Sequence, residues 1–303
     1  MQVQNFYSHG KLLLSGEYVV LDGAKALALP CKLGQTLKVQ THSGLSYQWI
    51  SYLKNNQKWK SLSFDLEDIK NGRSKDPFAR RLYQILKVIY EESPKLFNSF
   101  YTFSTQLEFD KNWGLGSSST LISNLSQWAN TDPYFLLNKT FGGSGYDVAA
   151  AQFKTPFVYQ RLENEVITES VEISEKLKPY LYFIYTNQKQ DSREAIANYR
   201  KNLKSPYHTV IDQISNLTEL ISNADDLNDF EDHLKTHEVL ISKLIGQIPI
   251  QESKFQDYKG GIVKSLGAWG GDFVLVTAKN DNDLIWFRKN GYPIIYKYED
   301  LVY

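Results

Sequence analysis

A chain of 303 residues with a hydrophobic share of 42% is long enough for one large or two modest domains around a sizeable core. Lysine plus arginine and aspartate plus glutamate number 34 each, so the formal charge is zero and no overall field draws the chain to nucleic acid or to an acidic membrane. The lone Cys31 excludes an internal disulfide framework and a cysteine-rich metal site, and favours a reducing compartment.

Met1 to Gly10 lacks a basic segment followed by an apolar core, so no secretory signal is expected. Lys11 to Gly23 reads as two short apolar strand pieces broken by Ser15-Gly16-Glu17 and closed by the turn Asp22-Gly23. A strand follows at Gln35–Thr41, and Tyr47–Trp59 reads as a hairpin broken at Lys54-Asn55-Asn56. Phe78, Leu82, Ile85, Leu86 and Ile89 share one face of a helix over Pro77–Glu92, and Tyr101, Phe103, Thr105, Leu107 and Phe109 alternate as a strand. After Asn112 to Leu121 (N-W-G-L-G-S-S-S-T-L) the apolar spacing of Leu121, Ile122, Leu125 and Trp128 is helical. Asp132-Pro133 opens a second helix, and a glycine cluster Gly142–Gly145 precedes Asp147 and a short helix over Val148–Gln152. Strands are expected at Phe157–Arg161, Leu181–Thr186, within Gly267–Ala278 and around Pro293–Tyr298; helices at Asp191–Leu203, Thr209–Ile221 and Asp225–Ile245. A domain boundary is placed after residue 157, giving units 1–157 and 158–303. No apolar run approaches the roughly 18 residues that span a bilayer, and a cytoplasmic protein, monomer or homodimer, is expected.

Gly114 and Gly116 stand where a loop feeds a helix N-terminus, whose unpaired N–H groups and positive dipole end both face an incoming anion. Ser117, Ser118 and Ser119 add hydroxyls able to bond phosphate or a phosphate-bound metal. An ordinary glycine- and serine-rich helix cap is the competing account. Asp147 by itself reads as a helix-start aspartate, and Lys11 as an exposed strand lysine. His233 and His237, four apart, can hold one metal ion, but no third ligand is specified and a polar helix face accounts for them.

Three glycine-rich segments recur in order: Ser8–Lys11 with Ser15–Tyr18, Gly114–Ser118, and Gly267–Asp272. Together they resemble the three signature motifs of the GHMP kinases (galactokinase, homoserine kinase, mevalonate kinase and phosphomevalonate kinase), over nearly the whole chain. The resemblance implies an α+β fold: an N-terminal domain with a left-handed βαβ crossover, similar to a ribosomal-protein fold, and a ferredoxin-like C-terminal domain. It implies transfer of the γ-phosphoryl group of ATP to a small-molecule substrate.

On this resemblance Gly114, Leu115, Gly116, Ser117, Ser118 and Ser119 hold the ATP phosphates, and Ser118 reaches Mg²⁺. Asp147 is the catalytic aspartate and Lys11 the lysine beside it. Glu17, Ser144, Gly145, Gly267, Ala268, Gly270 and Gly271 fall on the substrate side. Trp269 departs from the family's small residue, as does Asp110 from its proline; the wide indole would narrow the site or stack on a ligand. Mevalonate kinases supply a metal-binding glutamate before the catalytic aspartate, and Asp132 to Tyr146 contains none. The wording Gly16-Glu17-Tyr18, Ser-Gly-x-Asp-Val-Ala-Ala and Gly-Gly-Asp-Phe is more similar to phosphomevalonate kinases, implying 5-phosphomevalonate as acceptor, with a mevalonate kinase, or a catalytically inactive nucleotide- or metabolite-binding relative, as the alternatives. A phosphorylated acceptor needs further cations, with Arg73, Lys75, Arg80, Arg81, Lys189 and Arg193 as candidates.

Overall fold

The computed structural model describes residues 2–163, 165–189, 192–202 and 208–303, with the side chains of 192–194, 202 and 208 outside that description. The chain packs into two compact units, each assembled from separate stretches of sequence. One comprises Met1–Gly10, Leu33–Lys111 and Leu115–Gln152; the other Lys11–Lys32, Asn112–Gly114 and Phe153–Tyr303. A single cut at 157/158 misses this interleaving, because β1 (Val3–Ser15) and β2 (Ala26–His42) are long strands that contribute residues to both units.

In the first unit β3 (Tyr47–Tyr52) and β4 (Lys58–Phe64) form the expected hairpin, followed by α1 (Leu66–Asn71), α2 (Pro77–Glu92) and β5 (Phe100–Leu107). The strand order is β4-β3-β5-β2, with β3 and β5 parallel and β5 antiparallel to the Gln35–His42 half of β2. Chain between the parallel pair therefore crosses over through β4, α1 and α2. Asp76 starts α2 by accepting from Phe78 N and Ala79 N, and Pro77 at its first turn needs no donor of its own. α3 (Ser117–Ala129), α4 (Pro133–Thr140) and α5 (Tyr146–Ala150) complete the unit. Its core joins Trp49, Phe103 and Leu37 of the sheet to Ile85, Leu86 and Ile89 of α2 and Ile122, Leu125 and Trp128 of α3.

In the second unit the early half of β2 pairs with β6 (Phe157–Arg161), which pairs with β7 (Val166–Ser170). Pro30 stands in β2 between the stretch bonded to β6 and the stretch bonded to β5, so a residue without an N–H takes no place in either of those two ladders. Val19–Asp22, expected as strand, is a 3-10 turn, since Gly16 (φ 86°) and Tyr18 (φ 65°) reverse the chain before it. β8 (Leu181–Tyr185), α6 (Ser192–Asn202), α7 (His208–Asn223), α8 (Leu227–Ile245), α9 (Ile250–Lys254), β9 (Val263–Ser265), β10 (Phe273–Thr277), α10 (Asp281–Lys289), β11 (Ile295–Lys297) and α11 (Tyr298–Leu301) follow. The wholly antiparallel order β11-β8-β10-β9 is the ferredoxin-like pattern, in which β10 splits the like-directed β8 and β9. Two cores form here: Ile184, Val274, Val276 and Phe287 beneath the sheet, and Tyr18, Val19, Tyr199, Ile241 and Trp269 around α7 and α8. Among the described residues no helix is long and apolar enough to cross a membrane.

Candidate active site

The first unit gathers Ser8–Gly10, the loop before α3 and the segment carrying Asp147. Gly116 enters α3 in the left-handed conformation (φ 87°), which glycine adopts without a Cβ penalty, and no side chain caps the helix. The first-turn N–H groups thus stay available to an anion, with the helix dipole reinforcing them. Ser118 is exposed and Ser117 half-buried, whereas Leu115 is fully buried and anchors the loop. Ser119, expected to bind phosphate through its hydroxyl, is buried and donates that hydroxyl to Gly116 O at 2.8 Å; it steadies the turn instead. A Cβ at Gly10 would lie 2.9 Å from the carbonyl oxygen of Leu33 and 3.1 Å from that of Leu115, so only glycine lets β1 pass this close to the loop. Beside it Ser8 Oγ bonds Ser123 Oγ (2.8 Å) and Asn124 Oδ1 (2.9 Å) on α3, and His9 N–H donates to Ala151 O (2.9 Å) at the end of α5.

Asp147 is half-buried in the first turn of α5, where its Oδ1 accepts from Val148 N at 3.1 Å. Gly145 precedes it with φ 92°, and Ser144 is buried. Gly142 (φ 66°) and Gly143 (φ 104°) border open space, where an added Cβ would meet nothing within 4 Å. Arg81 is the half-buried member of the expected cations: its guanidinium stands 4.7 Å from the Phe141 ring and 3.3 Å from Thr140 O, just before this turn. Arg73, Lys75, Arg80 and Lys189 are exposed, and the side chain of Arg193 lies outside the described residues.

The second unit gathers Lys11, Glu17, Asn112–Gly114 and the third glycine segment. Trp113 packs against Tyr185, Phe273 and Tyr296 with ring centroids 6.1, 5.7 and 5.7 Å away, and Tyr185 Oη donates to Asn112 O (3.2 Å). Gly114 (φ 67°) lies so close to Asp272 that an added Cβ would fall 2.1 Å from its Oδ2. Asp272 is itself left-handed (φ 50°) and is held through its N–H to Gln188 O (2.6 Å) and its carbonyl to Thr186 N–H (2.8 Å). The second and third glycine segments thus meet through Gly114 and Asp272. Gly267 borders open space with φ 60°, and Ala268 and Gly270 are half-buried, with Gly271 buried.

Lys11 is half-buried, and its charge acts on the Cys31 thiol, which burial pushes up to about 12. Cys31 is therefore an inert buried thiol at neutral pH.

Three further expectations change. Glu17 is fully buried and bonded to Lys264, so its carboxylate faces the protein rather than a substrate. Trp269 is buried in the core with Tyr18, Val19 and Tyr199, because a small residue there would leave that cluster unfilled. It also borders a cavity of about 370 Å³ with Ile248, Ile250, Lys254 and Gly270. His237, expected on a polar helix face, is buried against the Gly16 turn, with its Nε2 accepting from Gly16 N–H at 3.0 Å. Sequence periodicity did mark α8, but the charge partners lie on other elements. Lys254, missed in the sequence, donates to Gln188 Oε1 (2.5 Å) and Gly270 O (2.6 Å), and partial burial holds its ammonium below the usual lysine range.

No protein-family model and no curated protein matches the chain. Among solved structures it is similar to the Methanococcus jannaschii mevalonate kinase, with 18% identity, TM-score 0.71 and 97% of each chain covered. Similarity to the Streptococcus pneumoniae phosphomevalonate kinase in complex with phosphomevalonate and AMPPNP covers 97% of this chain and 99% of that one, at 14% identity and TM-score 0.71. The Lactococcus lactis galactokinase complexed with galactose aligns at 17% identity and TM-score 0.71, over 97% of this chain and 92% of that one. The chain therefore has the fold that these mevalonate kinase, phosphomevalonate kinase and galactokinase structures share.

Proposed function

We propose that the protein is an ATP-dependent small-molecule kinase of the GHMP type and that 5-phosphomevalonate is its acceptor. The observation that carries this reading is the uncapped N-terminus of α3, entered by a left-handed Gly116 and bearing an exposed Ser118, on a fold shared with kinases of small metabolites. That arrangement suits a polyphosphate: backbone N–H groups of Ser117, Ser118 and Ser119 donate to phosphate oxygens while the glycines allow close approach. Among the described residues no three histidine, cysteine, aspartate or glutamate side chains converge on a metal position. Mg²⁺ would fit as an ion carried on the nucleotide, with Ser118 Oγ as the side chain that would hold it, which suits its preference for phosphate and water oxygens. When bound, the ion offsets charge on the phosphates.

With 5-phosphomevalonate the attacking atom is an oxygen of the acceptor's phosphate. As it forms its bond to the γ-phosphorus, the bond from that phosphorus to the bridging oxygen of ATP breaks and ADP leaves, while Asp147 orients the attacking oxygen and accepts its proton when it carries one. Lys11 offsets the negative charge that develops. Chemistry of this kind is largely positioning and electrostatics. Arg81, next to the open Gly142–Gly143 turn, is the cation best placed within the first unit to take an acceptor phosphate.

ADP release measured with mevalonate, 5-phosphomevalonate, 5-diphosphomevalonate and galactose tests the assignment. Turnover should be greatest with 5-phosphomevalonate, and Asp147→Ala should lose at least about 100-fold in kcat with nucleotide binding nearly intact. A preference for mevalonate moves the acceptor, carbon dioxide release from 5-diphosphomevalonate indicates the related decarboxylase chemistry, and nucleotide binding without turnover on any of them indicates an inactive relative. Wild-type turnover in Asp147→Ala would overturn the mechanism.

A further inference from the structure

Four ionisable side chains of the second unit meet out of water beneath the Gly16–Tyr18 turn. Glu17 and His237 are fully buried, Lys264 is 1% exposed and Glu238 5%. Lys264 Nζ donates to Glu17 Oε1 at 2.5 Å and to Ser265 O at 2.8 Å, and stands 3.8 Å from Glu238 Oε2. Glu238 Oε1 accepts from Ile250 N and Ser265 N, both at 3.3 Å. The turn these contacts hold is strained: Tyr18, a bulky residue, sits at φ 65°.

The hydrogen bonds fix the state of the histidine. Gly16 N–H points into His237 Nε2 at 3.0 Å, so that nitrogen carries a lone pair; the ring is neutral, with its hydrogen on Nδ1. Two carboxylates and one ammonium remain, and a net negative charge sealed from water is costly. Glu17 Oε2 and Glu238 Oε2 both lack a donor among the described residues. Glu238 accepts two backbone N–H groups on its other oxygen, which favours its ionised form against the burial that raises it, whereas Glu17 Oε2 lies 3.4 Å from His237 Nε2, an acceptor. A proton on Glu17 Oε2 would face that nitrogen and share its one lone pair with the Gly16 N–H, and it would bring the cluster to neutrality.

We propose that Glu17 is held protonated on Oε2, facing His237, and that this neutral Glu17–His237–Lys264–Glu238 cluster pins the strained Gly16–Tyr18 turn to the strand leading into the third glycine segment. Glu17, His237 and Lys264 are then positioning residues that meet no substrate. The groups acting on Glu17 are Lys264 of β9 and His237 and Glu238 of α8; α7 faces this stretch with the uncharged Thr218, whose hydroxyl meets that of Ser15 at 2.8 Å. Burial, opposed by Lys264, pushes the Glu17 carboxyl up to about 7, and burial holds His237 well below the usual histidine range.

The signs of the two linkages are opposite. Glu17 is raised on folding, so its contribution is full below pH 4.5 and fades as pH rises towards about 7. His237 is lowered, so its contribution is full above pH 6.5 and fades as pH falls. Between 4.5 and 6.5 the unfolded pair holds one proton on histidine and the folded pair holds one on glutamate, and the two dependences offset each other.

Denaturant midpoints of the full chain across pH 4.5 to 6.5 test this. Relative to wild type, Glu17→Gln should give a midpoint that climbs with pH and His237→Gln one that falls with pH. Should either variant fail to fold, nitrogen-15 spectra of the wild-type histidines decide. One ring should keep the neutral Nδ1–H form throughout that range. Glu17→Gln and His237→Gln curves parallel to wild type, or spectra in which every histidine protonates with an ordinary midpoint, would overturn the proposal. None of these measurements requires the kinase assignment, so failure of either leaves the other standing.

Discussion

A methyl group at Gly114 would meet two obstacles together, a left-handed backbone (φ 67°) and the Asp272 carboxylate 2.1 Å away. Gly114→Ala should therefore lose about 2–4 kcal/mol of stability, part backbone strain and part overpacking. Adding Asp272→Gly, which accepts φ 50° and removes the obstructing carboxylate, should restore about 1–3 kcal/mol of that loss. A double variant no more stable than Gly114→Ala by denaturant titration would show that the two residues do not meet. At this scale the sequence identified the glycines but misjudged Glu17. Nothing near Glu17 shows that its carboxylate belongs to Lys264, 247 positions away, and a short polar turn between apolar pieces reads as exposed. Ser119 was misjudged for a related reason: three consecutive serines look alike, but the helix turns one of them inward.

Among the elements, α3 combines two separable tasks. Ile122, Leu125 and Trp128 fasten it to the sheet and α2, while its first turn presents uncapped N–H groups. Ile122→Ala should cost about 2–5 kcal/mol by leaving a cavity in the first unit. Ser118→Ala, at an exposed position, should change stability by no more than about 0.5 kcal/mol yet weaken Mg²⁺-dependent nucleotide binding in calorimetry. A Ser118 variant that binds Mg²⁺-nucleotide as wild type does would remove Ser118 from the metal's ligands. Strong periodicity made α2 legible to the residue and marked the apolar face of α3. Short elements were not: β7, β9 and α9 have three to five residues each, too few to show a period. α10 carried a readable start in Asn280-Asp281-Asn282-Asp283, whose first and last members form a capping box.

For the whole molecule, ligand binding to the folded state alone must raise apparent stability by mass action. A non-hydrolysable ATP analogue with Mg²⁺ at 100 times its dissociation constant should add about 2.7 kcal/mol, and a chelator should reduce the gain. Unchanged calorimetric unfolding with and without nucleotide at saturating concentration would contradict the nucleotide-binding reading. The sequence by itself determined the α+β class, most of the long elements and three glycine segments in a fixed order. It could do so because periodicity, turn chemistry and caps act over a few neighbouring residues. Tertiary structure alone decided that the units interleave, with residues 11–32 and 112–114 packed into the second unit. It likewise decided that Trp269 is core, that Asp272 presses on Gly114, and that Glu17 is sealed with His237, Lys264 and Glu238. Those outcomes depend on which distant groups share a low-dielectric interior, where an unpaired charge is costly and each partner sets the protonation of the next.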